Sequence, residues 1–288
     1  KNGFININIK KKFLINQVEH LLNEKNNYGK SNIGSEKNVN VEFVSANPTG
    51  PVTVAHMRGA VLGDVISSLL TNTGHQVTRE YYVNNAGSQI DILGQSLLKR
   101  YLELHGEKAE LNSDEYPGEY LIEMAKLIKK KDGDKWLNNE LRQREDYFKD
   151  FAVKYLIEFI EKDLKLLNIK FDKFSFETDI VNSNIINDLF EILDKKNLLY
   201  NGILEKPKGD DSEDWEPREQ LLFKSSSILD DQDRAFKKSN GEWTYFANDA
   251  AYHLDKYNRK FDQLINIWGA DHVGYIARMK SVLKTISN

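Results

Sequence analysis

Apolar and polar positions alternate along this chain with two periods, and the switches between them mark out its elements. Phe4–Ile9 alternates like a short strand, and Phe13–Asn23 repeats like a helix. Asn26–Asn38, rich in Asn, Gly, Ser and Lys, is a polar connector. Val39–Val44 is a β-branched run that predicts a strand, and it ends in the tight turn Asn47-Pro48-Thr49-Gly50-Pro51. Ala55–Thr73 carries Val61, Val65 and Leu69 at helical spacing and stops at Gly74, a residue suited to a helix C′ position. Gln76–Val83 returns to the strand period, and Ala86–Leu104 is a second amphipathic helix. Strand–helix–strand–helix order predicts an α/β fold with a parallel sheet and right-handed crossovers.

The pattern then changes. His105 to about Asp150 is highly charged, helical in period, and reads as an insertion between two halves of the sheet. A helix at Phe151–Leu167, a strand at Phe171–Phe176 and a helix at Val181–Asn197 follow. Asn201–Gly241 reads as hairpin-like strands around an acidic loop, Gly209–Glu216. Asn248–Lys256 predicts a helix, Gln263–Trp268 a buried strand, and Gly274–Ile286 a closing helix.

Composition narrows the function without naming it. Over 288 residues, 40 basic and 44 acidic side chains leave a net charge of −4, which excludes a binder driven by overall positive charge but not a local basic patch. With no cysteine, disulfides, thiol catalysis, structural zinc on Cys ligands and iron–sulfur clusters are excluded. No apolar run approaches the roughly 18 residues of a membrane span. Lys1-Asn2-Gly3-Phe4 lacks both an initiator Met and the apolar core of a signal peptide. The expectation is a cytoplasmic protein, or a piece of one.

The candidate chemistry begins at the first strand-to-helix junction. Two of only five prolines, Pro48 and Pro51, bracket it, and Thr53-Val54-Ala55-His56 opens the helix. Open α/β sheets bind ligands beyond the carboxyl ends of their strands. A helix N-terminus offers free N–H groups and partial positive charge to a phosphate. His56 in the first turn can donate to a phosphoryl oxygen as charge builds there. The spacing alone fits a tight turn with a surface histidine equally well.

A longer comparison separates these. The segment Val41–Asp64, containing Ala46-Asn47-Pro48-Thr49-Gly50-Pro51-Val52-Thr53-Val54-Ala55-His56, resembles the HIGH-region signature of class I aminoacyl-tRNA synthetases, specifically the arginyl-tRNA synthetase family. That signature reads V-E-x-x-S-x-N-P-T-G-P-L-H-V-G-H-x-R-G-x-x-x-G-D. Further blocks occur in the family's order: Tyr82–Gln89, Phe171-Asp172 to Ser175 and Glu177, Asp230–Arg234, Tyr245–His253, and Trp268–His272 with Gly274-Tyr275-Ile276. The similarity runs from about residue 40 to the end. Thr53 and Ala55 stand where the family has His and Gly, and Asn85 where it has Asp. The family's lysine-containing K-M-S-K-S-like loop and its C-terminal anticodon-binding domain have no counterpart here.

The resemblance implies a Rossmann-like (HUP-type) parallel sheet with helices on both faces, interrupted by insertions. Residues 39–288 would be the catalytic domain, with insertions near 105–150 and 200–243, and residues 1–38 the tail of a preceding domain plus a linker. It implies an arginine–tRNA ligase, acting as a monomer on L-arginine, ATP with Mg²⁺, and tRNA(Arg), with no organic cofactor, no structural zinc and no membrane. The implied catalytic residues are His56 and Thr53. ATP would meet Pro48, Thr49, Gly50, Pro51, Thr53, Ala55, His56, Gly269, Asp271 and His272. Arginine would meet Ser45, Asn47, Gln89, Glu177, Tyr245, Asp249 and His272. A guanidinium is always charged and its planar fork suits bidentate carboxylates, so Glu177 and Asp249 are the central assignments. Read without the family, Glu177 fits a solvated strand end, Asp249 a helix N-cap, and Tyr245 ordinary core. The runs Lys10-Lys11-Lys12 and Lys129-Lys130-Lys131 fit solvated faces as well as contacts to tRNA phosphates. Two other functions compete: a small adenylyltransferase with a related turn, and a synthetase-like binding module without catalysis.

Overall fold

The computed structural model describes residues 3, 5–204 and 218–287. Four strands form a parallel sheet in the order β3-β2-β1-β7: β1 (Asn38–Glu42), β2 (Gln76–Val83), β3 (Lys173–Phe176) and β7 (Gln263–Asn266). Asn38 pairs with Gln76, Glu80 with Lys173 and Val39 with Gln263, so the carboxyl ends of all four strands lie along one edge. Helix α2 (Val54–Asn72) carries the chain from β1 to β2; α3 (Ser88–Leu104), α4 (Glu119–Asp132) and α5 (Leu141–Leu166) carry it from β2 to β3. Helices α6 (Glu177–Asn182) and α7 (Ile185–Lys195) follow, then a three-stranded antiparallel sheet in the order β4-β5-β6 (Leu199–Gly202, Gln220–Phe223, Arg234–Lys237). Helix α8 (Tyr245–Asn258) precedes β7, and α9 (Val273–Ser287) follows it.

The central strands have two different faces. Val39, Val41, Phe43, Tyr81 and Val83 are buried in one cluster with Ala60 of α2 and Val153, Ile157, Ile160 and Leu164 of α5. Each large apolar side chain removed from water there contributes roughly 1.5–3 kcal/mol. Asn40, Glu42 and Glu80 are buried too, and they engage one another and α8. Lys256 of α8 pairs with Glu42 and donates to Asn266 Oδ1 at 2.9 Å. Arg259 forks onto Glu80 with two bonds of 2.8 Å, and Asn40 and Ser175 also donate to Glu80. Charge can sit inside this sheet because almost every polar atom finds a partner.

Helix α2 lies close against β1 through small residues. Ala60, Gly63 and Ser67 are its buried positions, and a Cβ on Gly63 would fall 2.1 Å from Phe43 Cγ. Val61, Val65 and Leu69, whose spacing predicts the helix, lie on its exposed side. Helices α3, α4 and α5 share a separate core of Leu93, Leu97, Tyr101, Leu121, Met124, Ile128, Trp136 and Phe148.

Several local expectations are corrected. Ile5–Ile9 forms no strand, since among the described residues no other strand pairs with it, and Phe4 lies outside the described residues. The helix expected at Phe151–Leu167 starts at Leu141, ten residues inside the supposed insertion. The helix expected at Val181–Asn197 is two, α6 and α7, broken where Ser183 turns extended with φ −80° and ψ 169°. The acidic loop Gly209–Glu216 falls outside the described residues. Among the described residues no helix is long and apolar enough to cross a membrane.

Candidate active site at the carboxyl edge of the sheet

The sheet order reverses beside β1, whose neighbours β2 and β7 lead in opposite directions, and such a switch point opens a crevice at the carboxyl edge. Ser45–His56 leaves β1 there, Asn84–Gln89 leaves β2, Glu177 follows β3 directly, and Trp268–His272 follows β7. Topology thus gathers segments that are far apart in sequence.

The corner after β1 is strained. Val44 has φ 67° and Ser45 φ 39°, a region costly for side chains other than Gly, and most costly for a β-branched one. Tertiary bonds hold it. Ser45 Oγ donates to Glu42 Oε1 at 3.0 Å and accepts from Tyr82 N–H at 3.1 Å, and Tyr81 Oη donates to the Ala46 carbonyl at 2.8 Å. The Ser45 hydroxyl is therefore committed within the chain. Asn47, which is exposed, donates to Gln89 Oε1 at 2.9 Å, so these two residues meet across the β1 and β2 loops.

Thr53 is the N-cap of α2 and His56 its third residue. His56 Nδ1 accepts from the Thr53 backbone N–H at 3.0 Å and lies 3.2 Å from Thr53 Oγ1. With Nδ1 accepting, the neutral ring carries its proton on Nε2. Thr53, Val54 and Ala55 are exposed and His56 is half-buried, so the helix N-terminus opens to solvent.

Glu177 is buried and Asp249 half-buried near this edge of the sheet. Glu177 is 2% exposed and begins α6; Asn248 Nδ2 donates to its Oε1 at 2.8 Å, and Asn84, with its amide turned to donate, reaches its other oxygen. Neither the solvated strand end nor the N-cap reading survives. Thr244 caps α8 by accepting from Ala247 N–H at 3.2 Å, which places Asp249 in the second turn. Tyr275 of α9 donates to Asp249 Oδ2 at 2.6 Å. Tyr245, 57% exposed and so not core, begins α8 one turn before Asp249 on the same face. Its hydroxyl would lie 2.7 Å from a Cβ on Gly87, whose φ of +86° suits glycine. Gly269 and His272 are exposed in or beside the short 3₁₀ turn Ala270–His272. Asp271 belongs to the same turn, and its side chain lies outside the description.

Burial pushes the Asp249 carboxyl up to about 7; the Glu177 and Glu42 charges push further, while the Tyr275 hydrogen bond and His272 oppose them. Burial also raises Glu177, against the Asn248 hydrogen bond. The hydrogen-bond partners of both carboxyls are neutral, which suits a site awaiting a cation. A raised acid favours the folded state most at low pH. Asp249's contribution is complete below the ordinary carboxylate range near 4 and is lost as pH rises toward about 7. Thermal melts between pH 4 and 8 should accordingly show a shallower loss of Tm with rising pH in Asp249→Asn than in the parent. Equal slopes would remove the assignment of a raised pKa.

Several residues have no role in the sequence reading. Tyr82 stacks on Tyr252 at 4.2 Å, and its buried hydroxyl has no hydrogen-bond partner among the described residues while the Asp249 and Glu177 carboxyls bear on it. His253 bridges the Asp249 carbonyl at 2.8 Å and the Asn266 amide at 2.7 Å, and burial holds its pKa down at about 4, so the ring is neutral. Asn266 continues through Lys256 and Glu42 to Ser45. Tyr82, His253 and Tyr275 lie inside blocks already singled out in the sequence, but nothing local distinguishes an inward polar group from core. A cleft of about 700 Å³ lies to one side, between the Asn85–Gly87 loop and Lys149–Glu158 of α5. It shares the β2 loop with the site but contains neither His56, Glu177 nor Asp249.

The comparisons point to one family. The family model for the catalytic domain of class I (R) tRNA synthetases matches residues 17–287. An arginine–tRNA ligase of Ruegeria sp. (strain TM1040) is 46% identical over 286 residues, covering 99% of this chain and 49% of the relative. That of Ehrlichia ruminantium (strain Gardel) is 44% identical over 288 residues, covering 100% of this chain and 50% of the relative. A Campylobacter jejuni crystal structure assigned to arginyl-tRNA synthetase superposes with a TM-score of 0.83 at 32% identity, over 97% of this chain and 58% of its own. The chain spans about half the length of the curated relatives it matches. A parallel sheet with its signature loop at the switch point, and a family match over nearly the whole length, place this chain among the catalytic domains of the class I (R) tRNA synthetases.

Proposed function

We propose that the chain is the catalytic portion of an arginine–tRNA ligase. In the first step the carboxylate of L-arginine attacks the α-phosphorus of ATP, a new O–P bond forms, and pyrophosphate leaves. In the second the 3′-terminal adenosine of tRNA(Arg) takes the arginyl group from the adenylate, and AMP leaves. The observation that carries the reading is the carboxyl pair Glu177 and Asp249, whose hydrogen bonds come from the neutral Asn248 and Tyr275, near the edge where the signature loop ends. Two carboxylates in a partly water-free cleft are worth their desolvation when a fixed cation arrives between them.

In this reading Glu177, Asp249 and Tyr245 surround the guanidinium, and Asn47, Gln89 and Ser45 lie toward the substrate's amino-acid head. Ser45 acts there by holding the corner, since its hydroxyl is already bonded. ATP lies along Pro48–Pro51 and the α2 N-terminus, with Ala55 near the adenine and Gly269, Asp271 and His272 on the far wall. Thr53 holds the His56 ring so that its Nε2–H meets charge developing at phosphorus. Mg²⁺ enters as part of the nucleotide substrate. Residues 39–288 form the catalytic domain, with insertions near 105–150 and 200–243; residues 1–38, whose helix α1 (Lys11–Glu24) buries no residue, are the tail of a preceding domain. The protein acts as a cytoplasmic monomer.

The test is ATP–pyrophosphate exchange by the full-length protein with tRNA, comparing arginine with other amino acids. Arginine-dependent exchange is expected. His56→Ala should slow it on the order of 10²-fold, the usual loss for one donor aimed at developing charge, with arginine affinity unchanged. Exchange indifferent to arginine would sink the reading. A His56→Ala protein with a normal rate but poor arginine affinity would give His56 to the other substrate.

A further inference from the structure

The turn proposed to hold ATP has little internal support. Pro48 and Pro51 have no N–H, and its own backbone bond is Thr49 N–H to the Asn47 carbonyl at 2.8 Å. Support comes instead from the helical stretch between β2 and β3. Tyr120, the second residue of α4, donates its hydroxyl to the Thr49 carbonyl at 2.6 Å. Its ring lies over Gly50, where an added Cβ would stand 3.4 Å from the hydroxyl and 3.6 Å from Cζ. A Cβ on Gly118 would fall 2.1 Å from ring atom Cε1. The ring thus lies close to two glycines, one on the turn and one at the α4 N-cap.

Helix α4 is a firm base for this contact. Leu121, Met124, Ala125 and Ile128 are fully buried against α3 and α5. Well-packed neighbours lock a side chain's rotamer and so fix the group it presents. Tyr120 is half-buried, and burial pushes its phenol up to about 12, so the hydroxyl remains a donor at neutral pH.

We propose that Tyr120 is a positioning residue for nucleotide binding: its hydroxyl on the Thr49 carbonyl sets the Asn47–Pro51 turn, and through it the phosphate-facing N-terminus of α2. The stretch from His105 to Asp132 is then part of the activation machinery rather than an appendage. This inference rests on the reading that ATP occupies the Pro48–His56 segment.

The experiment uses the full-length protein with tRNA and follows exchange kinetics and thermal melts. Tyr120→Phe keeps the ring and removes only the hydroxyl. It should raise the KM for ATP about 3- to 10-fold, the range expected for one lost hydrogen bond. The KM for arginine should stay within about twofold and Tm nearly unchanged. Gly118→Ala is the second variant. At φ −59° and ψ 140° alanine fits the backbone, so its methyl acts by displacing the Tyr120 ring. It should show the same selective rise. An unchanged ATP KM in Tyr120→Phe, or equal rises for ATP and arginine together with a lower Tm, overturns the inference. If His56→Ala still slows exchange in the same assays, the ATP reading stands without it. If Tyr120→Phe and His56→Ala both match the parent, the ATP reading falls as well.

Discussion

Asp249→Asn or Glu177→Gln lowers arginine affinity by about two to four decades and leaves ATP binding nearly unchanged. Burial raises the pKa of both carboxyls, and each is met by a neutral hydrogen-bond donor. A guanidinium seated there has exchanged its own hydration for these two groups. Removing one leaves a desolvated cation short of a partner, which costs roughly 3–5 kcal/mol, and each 1.4 kcal/mol is about one decade in Kd. A fold defect would have a different signature. Asp249 is held uncharged up to about pH 7, so its neutral replacement should not lower Tm at pH 8 while affinity collapses. The two observables moving apart is the diagnostic. Isothermal titration with arginine at pH 8, paired with melts in the same buffer, measures it. Normal arginine binding by both variants would take arginine away from this cleft and leave the nucleotide half of the reading in place.

The second large effect is on stability. Lys256→Met should destabilise the fold by roughly 3–5 kcal/mol, read as a lower urea midpoint at unchanged slope. Lys256 is completely buried, its ammonium is paired with Glu42 and Asn266, and it lies 4.5 Å from the centre of the Tyr252 ring. The Met side chain fills most of the same space but leaves the Glu42 charge alone inside the sheet. The double variant Glu42→Gln with Lys256→Met should recover much of the loss, because no unpaired charge then remains. The loss also reaches the site, since Glu42 anchors Ser45 at the strained corner. A single variant that costs under about 1 kcal/mol would mean that water or a rearranged partner solvates Glu42 after all.

Much of this was legible along the chain. The strand Gln76–Val83 appears with those bounds, and the helices on either side begin and end within two residues of their expected limits. The parallel α/β order and the position of the signature loop at a strand's carboxyl end were legible too. These features depend on spacing over three or four residues, on turn-forming Pro and Gly, and on short blocks of sequence, all of which are local. The expectation that Glu177 and Asp249 serve one site came from the family blocks rather than from any period.

Orientation and partnership were not legible. The apolar spacing of Val61, Val65 and Leu69 marks α2 correctly, yet small Ala60, Gly63 and Ser67 face the sheet, because close approach to Phe43 leaves no room for anything larger. Ile5–Ile9 has the alternation of a strand but no pairing strand among the described residues, and it is without regular structure. Val39–Val44 reads as a β-branched run, while its alternate residues Asn40 and Glu42 carry buried polar groups on the face toward α8. Whether a Glu within a strand is solvated, ruinous or structural depends on what meets it. The sequence alone determined most of the strands and helices and their order, but not the absence of a strand at Ile5–Ile9, the start of α5 or the break at Ser183. Tertiary structure alone decided that Glu42 meets Lys256 across 214 residues, and that Tyr275 reaches Asp249, because burial and electrostatic pairing depend on distance in space.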